Sequence, residues 1–109
     1  MENQRERKQV KKLFTVLFLS SRGGYTRLRL MSALMDSPMN ANQLSNILSL
    51  DYKTVIHHLE VLMDNQIVVR DGDGYGALFR PSKFFLTHKD LFREVTSDVK
   101  FTKSMKKEP

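Results

Sequence analysis

Apolar residues recur at steps of three and four through Val10, Leu13, Phe14, Leu17 and Phe18, in a stretch free of Gly and Pro. This spacing predicts a long first helix over residues 3–21. From Phe14 to Leu19 only Thr15 interrupts the apolar run, an arc so wide that part of it is expected to bury against a second chain. Arg22-Gly23-Gly24 stops that helix. A second helix is expected over residues 26–35, with Thr26 as N-cap and Leu30, Ala33 and Leu34 facing inward, until Asp36-Ser37-Pro38 breaks it. Asn40-Ala41-Asn42-Gln43 reads as a capping box that opens a short helix over residues 41–48, with Leu44, Ile47 and Leu48 as its buried set. After Ser49-Leu50-Asp51 another helix runs to Asp64, capped by Asp51 and ended by Asn65 in the left-handed conformation.

The pattern then changes period. Residues 67–70 form a β-rich run, and Asp71-Gly72-Asp73-Gly74 is a turn whose glycines supply positive φ. Residues 75–80 return as a second strand, which Pro81 ends. Thr87-His88-Lys89-Asp90 reads as a further capping box, opening a last helix over residues 88–98. The fold class is therefore mainly α with a small antiparallel β-hairpin: one domain over residues 1–99, followed by a frayed basic tail from Lys100 to residue 109.

Two helices joined by a three-residue turn, with a hairpin directly after, are the parts of a winged helix-turn-helix. The second of those helices divides as a reading helix must. At 100° per residue from Tyr52, Val55, Leu59 and Leu62 share the inward arc with His58 beside them, while Tyr52, Lys53, Ile56, His57 and Glu60 take the opposite arc. His58 is expected to be a core histidine hydrogen-bonded at the helix seam, and the six methionines to be gap-fillers.

Composition narrows the classes. At 109 residues with no Cys, the chain has no disulfide scaffold, thiolate metal site or Cys nucleophile, and suits the cytoplasm. Its longest apolar run is Val16-Leu17-Phe18-Leu19, too short to span a membrane, and residues 1–12 lead into no signal-like segment. The formal charge is +6, yet residues 40–80 carry −2, leaving +8 to the flanks. Arg5, Arg7, Lys8, Lys11 and Lys12, then Arg22, Arg27 and Arg29, then the tail lysines make up the basic groups. Such flanks suit phosphate contacts, or they are solvated.

The run Leu48-Ser49-Leu50-Asp51-Tyr52-Lys53-Thr54-Val55-Ile56-His57-His58-Leu59-Glu60-Val61-Leu62 resembles the recognition segment of ArsR-type winged-helix transcriptional regulators. Arg27-Leu28-Arg29-Leu30-Met31 is similar to that family's second helix, and Leu86-Thr87 to the pair opening its last one. Asn65-Gln66-Ile67-Val68 is similar to its exit into the wing, with Asn where Gly is more usual. Asp51-Tyr52-Lys53-Thr54-Val55 and Tyr75-Gly76 look most like archaeal members. The resemblance covers residues 25–87 and implies a homodimer, formed through helices 3–21 and 88–98, that binds an inverted repeat in double-stranded DNA. On this reading Tyr52, Lys53, Thr54, Ile56 and His57 contact the major groove, and Arg70 and Arg80 steady the wing, 67–80, on the backbone. The acidic tip, Asp71 and Asp73, would sit beyond the groove.

Metal sensing, known in this family, needs thiols before the recognition helix or paired ligands on the last one. Residues 44–48 hold no thiol, and the last helix offers only His88, Asp90 and Glu94. No cofactor is expected. No nucleophile–base spacing or phosphate loop points to an enzyme. The alternative is a winged-helix module that docks on a protein partner in the transcription machinery, motivated by the acidic middle and wing tip.

Overall fold

Asn3 and Glu6 each accept a hydrogen bond from the other's backbone amide, at 2.9 and 3.0 Å, and this reciprocal cap starts α1, Gln4–Thr15. The computed structural model describes residues 2–99, so the expected tail lies outside the described residues. α1 runs on into one π-helical turn, Val16–Ser20, closed by the Ser21 amide on the Val16 carbonyl at 3.2 Å. The two segments together fill the predicted first helix, but its end is wider than α-helical pitch allows.

The second helix starts earlier than expected. α2 spans Gly24–Asp36, and its N-cap is Gly23 at φ 84°, not Thr26. A side chain at Gly23 would be strained by that φ, and its Cβ would stand 2.6 Å from Cε1 of His58. A Cβ on Gly24 would lie 2.9 Å from the backbone of Phe18. Close approach of α2 to the π-turn and to His58 sets this boundary, and propensity along the chain cannot report it.

α3, Ala41–Leu48, opens with the predicted Asn40–Gln43 box, each bond 2.8 Å. Leu44 and Leu48 are buried as expected, but Ile47 is 56% exposed. Ser49 turns the chain at φ 56°, and Asp51 caps α4, Tyr52–Asp64, by accepting from the Thr54 amide at 3.2 Å. At the far end of α4 the left-handed residue is Gln66, at φ 63°, one place beyond Asn65. Asn65 instead spends its side-chain amide on the Val61 carbonyl at 2.9 Å.

β1, Val68–Asp71, pairs antiparallel with β2, Leu78–Pro81, in the register Val68 to Pro81 and Asp71 to Leu78. The second strand is shorter than expected. Tyr75 belongs to a 3-10 turn, Gly74–Gly76, and Pro81 closes the strand from within. Gly72 and Gly74 do take positive φ, at 91° and 70°. Met39, between α2 and α3, exchanges both backbone bonds with Phe79 at 3.2 and 2.8 Å, and so fastens the hairpin to the helices.

The last helix divides in two. Ser82 caps α5, Lys83–Thr87, by accepting from the Phe85 amide at 3.0 Å, while its hydroxyl donates to the Gln66 carbonyl at 2.6 Å. α6, Lys89–Thr96, follows across His88 and has no side-chain cap, so the expected Thr87 box does not form. Residues 97–98, expected to be helical, lie past its end.

These elements bury one core. Phe14 is wholly buried, with ring centroids 6.0 Å from Phe18, 5.7 Å from Phe85 and 6.3 Å from Phe92. Much of the wide apolar arc is thus covered within the chain, the π-turn by α2 and the rings of Phe14 and Phe18 by α5 and α6. Val16 and Leu19 remain exposed. Ion pairs extend the seam outward: Arg7 to Asp90 at 2.7 Å, and Lys11 to Glu94.

Candidate nucleic-acid interface

α4 is held from behind and open in front. Val55, Leu59 and Leu62 are fully buried and His58 nearly so, while Lys53, His57 and Glu60 face solvent. Tyr52, Thr54 and Ile56 are half-buried. Of the expected contact residues on this helix, Lys53 and His57 are therefore the exposed ones on its outer face. Thr54 is tied to the Asp51 cap through its amide, and Ile56 forms the wall of a cleft toward the wing.

His58 is the core histidine the sequence suggests. Its Nδ1 faces Arg27 Nη1 at 3.2 Å. Arg27 also donates from Nε to the Leu17 carbonyl at 2.9 Å, and from Nη2 to the Ser21 hydroxyl at 2.6 Å and the Arg22 carbonyl at 3.2 Å. Arg27 is 4% exposed, and through these bonds its guanidinium joins three elements: the π-turn, α2 and α4. This corrects its place among basic groups available to phosphate, and it is a functional support that sequence reading missed. Arg29 is likewise half-buried, donating to the Leu48 carbonyl at 3.0 Å at the end of α3. Of the basic residues on α1, Arg7 and Lys11 are engaged with α6, and Arg5, Lys8 and Lys12 are exposed.

On the wing, Arg80 and Asp71 pair through Nε and Oδ2 at 2.6 Å, which raises the arginine pKa and sets its charge against the tip's. Arg70 points into the cleft shared with Tyr52, Ile56 and Tyr75. The sequence pattern places Tyr75 in a strand, whereas it lies in the 3-10 turn. Its position between two glycines, where no local side chain can cover it, is the signal for its actual exposure of 86%.

The two buried histidines respond oppositely to pH. Burial, with Arg27 and His57 adding, pushes the His58 pKa down. At His88 burial acts in the same direction, but the Glu2 carboxylate at 2.5 Å from Nε2 and the Phe84 carbonyl at 2.8 Å from Nδ1 outweigh it, and the pKa rises. Oxygen acceptors on both ring nitrogens suit an imidazolium that donates twice. A depressed His58 holds its stabilisation above about pH 6.5 and loses it as pH falls through its folded pKa; a raised His88 holds its own below about pH 6.5 and loses it as pH rises through its folded pKa. Urea midpoints measured from acid to mildly alkaline pH are expected to show both limbs. His88→Gln removes the alkaline limb and keeps the acid one; an alkaline limb that persists in this variant rules out the charged Glu2–His88 pair. Asp90 and Glu94, with His88 the remaining polar candidates of the last helix, are taken up by Arg7 and Lys11. Among the described residues no group of three or more His, Asp or Glu is placed to hold a metal ion, and no helix is long and apolar enough to cross a membrane.

Residues 25–69 match the model of the bacterial regulatory proteins of the arsR family. No curated protein sequence matches the chain. Among solved structures, the reduced form of the transcriptional regulator YodB from Bacillus subtilis superposes with a TM-score of 0.61 at 16% identity, over 89% of this chain and 90% of that one. AbfR of Staphylococcus epidermidis gives 0.63 at 17%, over 93% and 71%. The homodimeric winged helix-turn-helix DNA-binding domain Mb0332 from Mycobacterium bovis, a possible ArsR-family regulator, gives 0.56 at 14%, over 94% and 100%. At such identities the likeness is one of fold: α2, α3 and α4 followed by the β1–β2 hairpin form a winged helix-turn-helix.

Proposed function

The chain carries an arsR-family helix-turn-helix over residues 25–69 inside a winged-helix fold, and from this premise we propose that it is a sequence-specific, double-stranded-DNA-binding transcriptional regulator that works as a homodimer. The observation that carries the reading is the division of α4. Its rear is anchored by three fully buried aliphatic residues, while Lys53 and His57 stand exposed one turn apart on its front. A helix so divided can enter a major groove, with Lys53 reaching guanine or phosphate and His57 a base edge. Tyr52, Thr54 and Ile56 border that face. On the wing Arg70 is the stronger backbone contact, because Arg80 is already shared with Asp71.

One copy reads only a few base pairs, and a two-fold dimer doubles the contact. In this reading residues 1–99 form one domain whose first and last helices supply the dimer contact. α1 and α6 pack on each other within the chain and leave Val16 and Leu19 for the second copy. The protein acts in the cytoplasm and catalyses no reaction.

Fluorescence anisotropy on mixed random duplexes at two salt concentrations, with sedimentation alongside, tests the class. Steeply salt-dependent binding by a dimer is expected. A folded protein with no duplex affinity at low salt overturns the proposal. Once an operator has been selected, the Lys53→Ala/His57→Ala double variant is expected to lose about 10–100-fold in operator preference with its melting curve unchanged. Unaltered operator affinity would show that α4 does not read sequence.

A further inference from the structure

Tyr75 is the most exposed large apolar side chain among the described residues, at 86%, and nothing in the packing of the domain requires it. Gly74 and Gly76 flank it, and a Cβ added at either would meet no atom within 4 Å, so the chain on both sides of Tyr75 is open. The tyrosine nevertheless has a partner in space. Its ring centroid lies 6.4 Å from that of Tyr52, the first residue of α4, at an interplanar angle of 52°. A cleft of about 180 Å³ runs between wing and helix, walled by both rings, Ile56 and Arg70. On the other side of the ring pair a wider recess opens, edged by Asn40 and Asn42 at the start of α3.

Net charge does not make this surface attractive to DNA. Asp71 and Asp73 sit at the tip, and Arg80 is held by Asp71. What the cleft offers is two amphipathic rings, their hydroxyls, the apolar side chain of Ile56 and one guanidinium. That set matches a strand that alternates an apolar sugar with an anionic phosphate. The cleft is also continuous, through Tyr52, with the Lys53–His57 face of α4.

Resting on the DNA reading above, we propose that the Tyr52–Tyr75 cleft seats one strand of the DNA backbone, with deoxyribose against the rings and a phosphate on Arg70. The wing then grips by aromatic packing, and its acidic tip is carried past the duplex. Because Tyr75 is uncharged, its contribution is the same at every ionic strength and for every sequence, unlike that of a wing lysine or arginine.

Three variants of the full chain, on a mixed random duplex across a range of salt concentrations, test this. Tyr75→Ala is expected to weaken binding about tenfold while leaving the slope of log affinity against log salt as it is. Arg70→Gln is expected to flatten that slope by about the share of one phosphate. Tyr75→Phe is expected to keep most of the affinity, since the ring carries the contact. Tyr75 is exposed and its backbone unremarkable, so the melting temperatures of its variants should match the parent. If the parent binds duplex and Tyr75→Ala binds equally well, the seat is overturned and the regulator reading stands. If Tyr75→Ala flattens the salt slope, the aromatic grip is overturned in favour of an ionic one. If the parent itself binds no duplex at low salt, both fall together.

Discussion

Phe14→Ala is expected to lower the free energy of unfolding by about 3–5 kcal/mol, the range for truncating a fully buried phenylalanine. Small domains carry about 5–15 kcal/mol in total, so this one change removes a third or more of the stability of many such folds. The reason lies in where the ring sits. It is wholly buried and touches Phe18 of the π-turn, Phe84 and Phe85 of α5, and Phe92 of α6. Removing it leaves a void among rigid aromatic side chains that cannot collapse around it, and it severs the first helix from the last two. A urea titration followed by far-ultraviolet circular dichroism measures the loss. A midpoint shift worth less than about 1 kcal/mol would mean that α1 is not docked on α5 and α6 as described.

Arg27→Leu is expected to cost about 2–4 kcal/mol, for a different physical reason. Burial lowers the pKa of this guanidinium, a sign that holding its charge inside has a cost. An apolar replacement recovers that desolvation. It also takes the donor from four acceptors, met at 2.6 to 3.2 Å: the carbonyls of Leu17 and Arg22, the His58 ring nitrogen, and the Ser21 hydroxyl, which keeps its own bond to the Val16 carbonyl. Four acceptors lost outweigh one charge relieved. Since the network ends on His58 of α4, the variant should also bind DNA less tightly than its lost stability alone explains. A double-mutant cycle with His58→Ala is expected to give a coupling above about 0.5 kcal/mol; additive effects would show that the two side chains do not support each other.

Legibility in the sequence followed the range of the forces involved. The boundaries of α3 and α4 could be read because an N-cap is chemistry between residues three apart, and Asn40, Gln43 and Asp51 do in space what their spacing suggests. The faces of α4 could be read because 100° per residue is geometry, so Val55, His58, Leu59 and Leu62 turn inward together. The two wing glycines declared their positive φ for the same local reason. What could not be read depends on neighbours distant in the chain. Gly23, not Thr26, starts α2 because His58 comes to within contact of it. Ser82, not Thr87, carries the cap near the end because its hydroxyl also meets the Gln66 carbonyl. Ile47 faces solvent although its period matches Leu44, because periodicity along α3 does not say which of its faces other elements cover. At the candidate site Lys53 and His57 were visible from periodicity alone. The state of Arg80 was not, because cross-strand neighbours decide whether a wing arginine is free or spent.

The closure of α1 on α6 bears on how the chain is made. Arg7 and Asp90 lie 83 residues apart, and the aromatic rings that cover Phe14 belong to residues near the far end as well. A nascent chain presents α1 long before α5 and α6 leave the ribosome. At 5–20 residues per second this first helix waits for roughly 4–16 s before the rings of Phe84, Phe85 and Phe92 reach Phe14. Throughout translation it is a sticky amphipathic segment, open to chaperones and to neighbouring chains. A message cut short before α5 would therefore yield a polypeptide with a bare apolar seam, destined for aggregation or proteolysis, and not a smaller working domain.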